Sequence, residues 1–151
     1  MMEKNVKVKA RKKARQLIMQ ALYQWSMTEV DLYPLQMQFH QMNDMAKVDK
    51  DYFDALLYAI IKNLEEIDSK FTPYLDRKFE DLNPVELAVI RLGTYELLHC
   101  LEIPYRVVLF EAVSLTKEYG SEDGYKYVNG ILNKVAREMR KAEVEAEGNV
   151  N

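Results

Sequence analysis

The chain has 151 residues, of which 48% are apolar, and a formal net charge of -3. This apolar content excludes disorder along the whole length, and the single cysteine excludes an internal disulfide framework and indicates a reducing, cytoplasmic setting. No run of about 20 apolar residues occurs, which excludes a membrane span, and the scarcity of Gly and Pro favours an all-α fold.

The first predicted helix is amphipathic, and its N-terminal end carries a strong charge. Apolar residues recur at helical spacing at Ala14, Leu17, Ile18, Ala21, Leu22 and Trp25. Residues 1–15 hold seven Lys/Arg against one acid, so this end has a net charge of +6 and the rest of the chain -9. Because a helix dipole is positive at its N-terminus, these cations destabilise the helix. Their presence therefore indicates a role other than helix stability.

Two helices and a turn are predicted next. A second helix covers Leu35 to Met42. A third begins at a cap, Asp49 or Asp51, and its inward residues are Phe53, Leu56, Leu57, Ile60, Leu64 and Ile67. The stretch "DSKFTPYLD" predicts a short helical turn with Pro73 near its start.

The strongest helix start is the sequence "NPVE". Asn83 is the predicted cap, Pro84 the first helical residue, and Glu86 is spaced to close a capping box. The helix that follows, as far as His99, is apolar on nearly every side, which predicts a central position in the fold.

Two more helices complete the domain. One opens at Pro104 and ends in a C-cap at Gly120, and the last runs from about Glu122 to Lys141. We expect residues 1–9 to form a flexible basic arm, residues 10–141 a helical domain, and residues 142–151 a disordered acidic tail.

The sequence lacks the residue constellations of an enzyme. His40, His99 and Cys100 do not have the spacing of zinc ligands, and the neighbours His99 and Cys100 would point about 100° apart on a helix. Neither a glycine-rich phosphate loop nor a nucleophile elbow occurs. We therefore expect no catalytic residues, no metal and no cofactor.

The polar side of the first helix combines charge, amides and an aromatic ring. At about 100° per residue, one face holds Lys12, Gln16, Met19 and Tyr23, with Arg15 and Gln20 at its borders. Phosphates attract the charge, while unpaired bases use hydrogen bonds and a stacking platform. These features favour an RNA-binding surface, with a merely solvated helix as the alternative.

An acidic cluster surrounds the start of the central helix. It consists of Glu80, Asp81 and Glu86. Acids at this position suit the helix dipole, so simple capping and a protein-binding patch are both compatible with it.

Three stretches together resemble the NusB family of bacterial transcription antitermination factors. They are "ARKKARQLIMQALYQW", "NPVELAVIRLGTYEL" and "IPYRVVLFEAVSLTKEYGSEDGYKYVNGILNKVA", and the resemblance extends from about residue 10 to residue 140. It implies an all-α fold of about seven helices in two packed three-helix bundles. It also implies that boxA-type single-stranded RNA of rRNA leaders is bound together with NusE, a small-subunit ribosomal protein, in an antitermination complex with RNA polymerase.

The resemblance carries the family's functional surfaces onto this chain. The implied RNA-binding residues are Arg11, Lys12, Lys13, Arg15, Gln20, Tyr23, Asp123 and Tyr127. The implied NusE-binding residues are Glu80, Asp81, Glu86 and Arg91. Tyr127 stands in place of the usual Phe, which keeps the ring needed for stacking.

Two positions depart from the family pattern, and one glycine has two explanations. Phe110 replaces an Asn, which removes a side-chain hydrogen bond, and Gly124 replaces a Ser, which weakens a cap or an RNA contact. Gly130 permits either close helix packing or the approach of a ribose or another backbone.

Two other classes of function compete with an antitermination factor. Similar helical domains precede RNA cytosine methyltransferase domains and deliver their substrate, although no cofactor-binding motif occurs here. The second alternative is a helical adaptor that binds only proteins.

Overall fold

The protein is all-helical in the computed structural model, which describes residues 2–148. Its eight α-helices are α1 Met2–Thr28, α2 Leu32–Met42, α3 Lys50–Lys62, α4 Leu64–Phe71, α5 Pro84–His99, α6 Tyr105–Tyr119, α7 Gly124–Met139 and α8 Lys141–Gly148. Short 3₁₀ turns occupy Met45–Lys47, Thr72–Tyr74 and Phe79–Asp81. The predicted all-α class is confirmed, with eight helices over this range where about seven were expected. None of these helices is both long and apolar enough to cross a membrane.

The chain divides into two compact units, Met1–Asn63 and Leu64–Asn151. In the first unit, α1 packs against α2 and α3. The predicted inward residues of α1 are buried from Ala14 to Leu22, and Trp25 is half-buried. The helix ends where Glu29 adopts a left-handed φ of 56° and its amide donates to the carbonyl of Trp25.

The third predicted helix is interrupted, so that its residues belong to α3 and α4. Asp49 is the cap of α3, and its carboxylate accepts a hydrogen bond from the amide of Tyr52 at 3.1 Å. At the other end, the Asn63 side chain donates to the carbonyl of Ala59 at 2.8 Å and ends the helix. Ile67 is buried on α4.

The second unit is built around α5, which packs against α4, α6 and α7 as its apolar sequence predicts. The predicted cap is confirmed, because the side-chain oxygen of Asn83 accepts from the amides of Val85 at 2.9 Å and Glu86 at 3.2 Å. The expected capping box is absent among the described hydrogen bonds, since the Glu86 carboxylate instead accepts two hydrogen bonds from Ser121.

Arg140 closes the C-terminal end of α5. Its side chain is almost wholly buried and donates to four backbone carbonyls, those of Glu96, Leu97, Cys100 and Ile103, at 2.7–3.1 Å. The last carbonyls of a helix lack some of their partners within the helix, and Arg140 adds donors at this end. The carbonyls of Glu96 and Cys100 also accept the amides of Cys100 and Ile103, each at 3.0 Å. It also pairs with Glu143 at 2.8 Å.

Glu143 connects the same corner to the start of α6. Its second carboxylate oxygen accepts a hydrogen bond from the amide of Tyr105 at 2.8 Å. Burial by itself would raise the pKa of Glu143, but the Tyr105 amide and the Arg140 guanidinium outweigh burial and lower it below its ordinary value. One arginine and one carboxylate thus join the end of α5 to the beginning of α6.

The structure differs from the expected arm and tail by forming helix in both segments. Residues 2–9 continue α1, where Lys7 and Glu3 form a pair one turn apart at 3.6 Å. Residues 142–148 belong to α8, which is attached to α6 through a hydrogen bond from Arg106 to Glu147. Residue 1 and residues 149–151 lie outside the described part of the chain, and the domain boundaries stay predictions.

Candidate nucleic-acid and partner interfaces

The basic side chains of residues 11–15, about three turns into α1, divide into exposed side chains and side chains held by other residues. Lys12 and Lys13 are exposed, so their charges face outward. Arg11 is fastened within the first unit, because its Nε donates to an Asp49 oxygen at 3.0 Å and its guanidinium carbon lies 3.7 Å from the centre of the Tyr52 ring. This cation–π contact joins α1 to the start of α3 and leaves Arg11 partly exposed.

The rest of the predicted polar face of α1 is less exposed than a helical wheel indicates. Arg15 is 5% exposed and its guanidinium carbon lies 5.8 Å from the centre of the Tyr52 ring. Met19 is 2% exposed, so its placement on a solvent-facing side was wrong. Gln20 is half-buried and Tyr23 is exposed, and both lie at the surface of α1.

The remaining RNA-binding candidates lie at the start of α7, in the second unit. Asp123 is exposed and precedes the helix without a capping hydrogen bond from its side chain; it lies 3.7 Å from the Lys126 ammonium. One turn later, the half-buried ring of Tyr127 is covered by Arg77, whose guanidinium carbon is 4.0 Å from the ring centre.

The hydroxyl of Tyr127 is buried, and burial raises the pKa of this phenol above its ordinary value. No described residue reaches the hydroxyl in good hydrogen-bond geometry, although the Asp76 carboxylate is close enough to affect its pKa. The described contact of Tyr127 is therefore made by its ring, with Arg77, and not by its hydroxyl.

The four partner-binding candidates also divide into two pairs. Glu80 and Asp81 are exposed on the turn before α5. Arg91 is buried, and its Nε and Nη2 donate to the two oxygens of Asp68 at 3.0 and 2.9 Å. Glu86 is buried as well, so only the first pair is displayed at the surface.

Glu86 and Gly124 fit each other closely. One Glu86 carboxylate oxygen accepts from the Ser121 amide at 3.0 Å and from its hydroxyl at 2.7 Å. A β-carbon on Gly124 would lie 2.2 Å from that oxygen, so only glycine leaves the carboxylate this space. Within the second unit, a partner-binding candidate therefore contacts the loop that leads to Asp123 and Tyr127.

No metal-binding cluster of three His, Cys, Asp or Glu side chains occurs within residues 2–148. The two histidines pair with separate acids, His40 with Asp54 at 2.8 Å and His99 with Glu66 at 2.9 Å.

The comparison with protein families matches the NusB family model over residues 12–137. The chain belongs to the NusB family. It is 50% identical over 137 residues to the transcription antitermination protein NusB of Legionella pneumophila strain Corby, which covers 91% of this chain and 93% of that protein. Identity to the NusB of Cupriavidus pinatubonensis is 47% over 137 residues, and this match covers 91% of this chain and 82% of that protein.

Solved structures of NusB proteins share the fold. T. maritima NusB superposes with a TM-score of 0.78 at 33% identity, covering 89% of this chain and 96% of that one. NusB in a crystal structure of the antitermination factors NusB and NusE with dsRNA superposes with a TM-score of 0.75 at 28% identity, covering 83% and 95%.

The departures from the NusB family pattern lie in different surroundings. Phe110 is 63% exposed, so the core does not have to repack around it. Gly124 is explained by the position of Glu86, and Ser121 supplies a hydroxyl nearby. A β-carbon on Gly130 would meet nothing within 4 Å, so close helix packing does not explain this glycine.

Sequence reasoning missed two residues that shape these surfaces. Tyr52 contacts Arg11 from α3, and Arg77 contacts Tyr127 from the segment between two 3₁₀ turns. Both contacts join residues far apart in the chain, and neither residue stands out by local spacing. The "DRK" stretch around Arg77 is a short run of mixed charge, which by itself is typical of any solvated loop.

Proposed function

We propose that this protein is a non-enzymatic transcription antitermination factor of the bacterial cytoplasm. It binds boxA-type RNA of rRNA leaders together with NusE, and the complex acts on RNA polymerase. The observation that carries the proposal is the extent of the family match, because residues 12–137 include both the basic side of α1 and the start of α7.

The relatives support this function over the alternatives. The L. pneumophila protein bears the antitermination name, and the match spans 93% of its length. A likeness at this coverage favours an antitermination factor over a domain that serves a methyltransferase. A solved neighbour that contains NusB, NusE and RNA favours it over an adaptor that binds only proteins.

The finer architecture implied by the family is part of the proposal. In the first unit, α1, α2 and α3 would form one three-helix bundle, and in the second unit α5, α6 and α7 would form another. The mutual packing of the helices within each set supports this arrangement.

The exposure of the predicted RNA-binding residues separates those that would contact RNA from those that would support the surface. Lys12, Lys13, Gln20 and Tyr23 would contact RNA from α1. Arg11 and Arg15, which lie against Tyr52, would hold the basic part of α1 against α3 and add to its positive potential. Asp123 and Tyr127 would take part in RNA binding from the second unit.

The partner surface would likewise have an outer and an inner part. Glu80 and Asp81 would meet NusE directly, since they are exposed. Glu86 and Arg91 would support the same surface from inside through Ser121 and Asp68.

A salt titration of RNA binding tests the α1 surface. On single strands, each lost phosphate contact lowers the log–log slope by about 0.7, so Lys12→Ala with Lys13→Ala should lower it by about 1.4. Fluorescence anisotropy should compare boxA-type RNA, a scrambled strand and a duplex, each with and without NusE. The duplex is included because the solved neighbour contains dsRNA.

The control removes the same charge elsewhere in the first unit. Lys47→Ala with Lys62→Ala, both at exposed positions, should leave the slope near that of the wild type. If the α1 variant keeps the wild-type slope, these lysines do not touch phosphates. If the wild type binds no RNA under any of these conditions, the proposed function is wrong.

The acidic surface is tested by calorimetry with purified NusE. Glu80→Lys with Asp81→Lys should weaken association by reversing the charge of the exposed pair. Glu65→Lys is the control, because Glu65 is an exposed acid on α4. Equal affinities of the two variants, with intact helices by circular dichroism, would remove Glu80 and Asp81 from the interface.

A further inference from the structure

The sequence predicts that the Tyr127 ring stacks on an RNA base, but it does not predict that Arg77 lies against this ring. The guanidinium carbon of Arg77 lies 4.0 Å from the centre of the Tyr127 ring. At this distance a guanidinium lies on an aromatic face in a cation–π and stacking contact. A base that approaches this face of Tyr127 meets Arg77 first.

Asp76 orients the guanidinium from the side. Arg77 Nε donates to one Asp76 oxygen at 2.8 Å, and Nη2 lies 3.5 Å from the other. This fork uses one edge of a group that has five N–H donors, and the Arg77 side chain remains 44% exposed. Arg77 is thus held by a carboxylate and a ring, and part of its side chain remains accessible to solvent.

The charges around Arg77 indicate which part of an RNA would lie there. The Arg77 guanidinium lowers the pKa of the Asp76 carboxyl, which is exposed and carries a negative charge at neutral pH. That charge offsets part of the attraction between Arg77 and a phosphate placed over the fork. An unpaired base has no such penalty, and arginine planes serve as stacking surfaces for RNA bases.

We propose that Arg77 is a further RNA-binding residue, on whose outer face an unpaired base stacks while its inner face rests on the Tyr127 ring. This inference rests on the proposed RNA-binding function and refines it. The layered order is base, guanidinium and tyrosine ring, so Tyr127 acts largely through Arg77. Lysine cannot replace arginine here, because an ammonium group has no plane to stack on.

Anisotropy titrations of single-stranded boxA-type RNA with NusE present test this order. Arg77→Lys keeps the charge and removes the plane, so it should lose about tenfold in affinity with an unchanged salt slope, by the usual scale of base stacking. Arg77→Ala should lose at least as much and should also lower the slope. Tyr127→Phe should bind like the wild type, because the ring is kept.

A double variant tests whether the two residues work as one unit. Tyr127→Ala should weaken binding by about tenfold or more. Adding Arg77→Lys to Tyr127→Ala should cause little further loss, because the guanidinium has already lost its support. Lys78→Ala is the control, since it removes one exposed positive charge next to Arg77. It should lower the salt slope, and any loss of affinity should disappear at high salt, because no stacking surface is removed.

The outcomes separate this inference from the function on which it rests. If the wild type binds RNA and Arg77→Lys binds equally well, Arg77 acts only as a charge, and the stacking inference is wrong while the proposed function stands. If Arg77→Ala also binds like the wild type, Arg77 merely covers Tyr127. If the wild type binds no RNA, both proposals fall. Circular dichroism of each variant confirms that the helices are intact.

Discussion

Arg140 and Arg77 lie in the same unit, and each holds its guanidinium in a fixed position, but by opposite means. Arg140 is buried and gives its donors to four backbone carbonyls and a carboxylate. Arg77 is held by one carboxylate and one ring and stays partly exposed. The difference teaches that a fixed arginine stabilises the fold where its donors are used up, and is suited to recognition where part of its surface remains accessible.

The strongest test of this contrast is the removal of Arg140. Arg140→Met should lower the free energy of unfolding by about 3–5 kcal/mol, because the carbonyls of α5 and the Glu143 carboxylate lose a buried charged partner. Urea denaturation measures the loss. Arg137→Met is the control, since Arg137 is exposed near the end of α7, three residues before Arg140, and its loss should change stability by about 0.5 kcal/mol or less. A loss below about 1 kcal/mol for Arg140→Met would mean that Arg140 is not the main support of this corner.

An intermediate effect is expected where Glu86 lies against Gly124. Gly124→Ala should cost about 1–3 kcal/mol of stability, because the new methyl group displaces the Glu86 carboxylate from Ser121. In a background of Glu86→Asp, whose side chain is shorter, the same substitution should cost less. A double-mutant cycle in urea gives the coupling. Strict additivity would show that the two positions do not constrain each other.

The smallest effect is expected at the other glycine of α7. Gly130→Ala should raise the free energy of unfolding by about 0.5–1 kcal/mol, because Gly130 is helical and exposed and a β-carbon there meets no neighbour. The same variant should bind RNA more weakly if a ribose approaches this point of the helix. A variant that is more stable and binds RNA with wild-type affinity would exclude that approach.

Local signals predicted most of the helices. Asn83 and Pro84 specified the start of α5 because a cap and the first helical residue act over a single turn. The break at Asn63 was missed because one non-helical residue scarcely alters the helical period, so Ile67 still falls in step with Phe53. The separate helix α8 was missed because its sequence buries no residue fully.

The candidate surfaces were predicted less completely, because burial and pairing depend on distant residues. A helical wheel for α1 shows which residues share a side but does not show what covers that side, so Arg15 and Met19 were placed too far outward. Local spacing predicted that Glu86 closes a capping box with Asn83. In the fold, its carboxylate instead accepts a hydrogen bond from Ser121, 35 residues along the chain. Arg140 escaped notice for the same reason.

The long reach of Arg140 has a consequence for biosynthesis. A chain leaves the ribosome with its N-terminus first, so α5 and α6 emerge well before the residue that joins them. Arg140 follows Leu97 by 43 positions, and until it arrives the carbonyls at the end of α5 lack this charged donor. The contacts of α1 with α2 and α3 need only the first 63 residues. The nascent protein should therefore acquire its first unit early and lock the corner between α5 and α6 only when translation is almost complete.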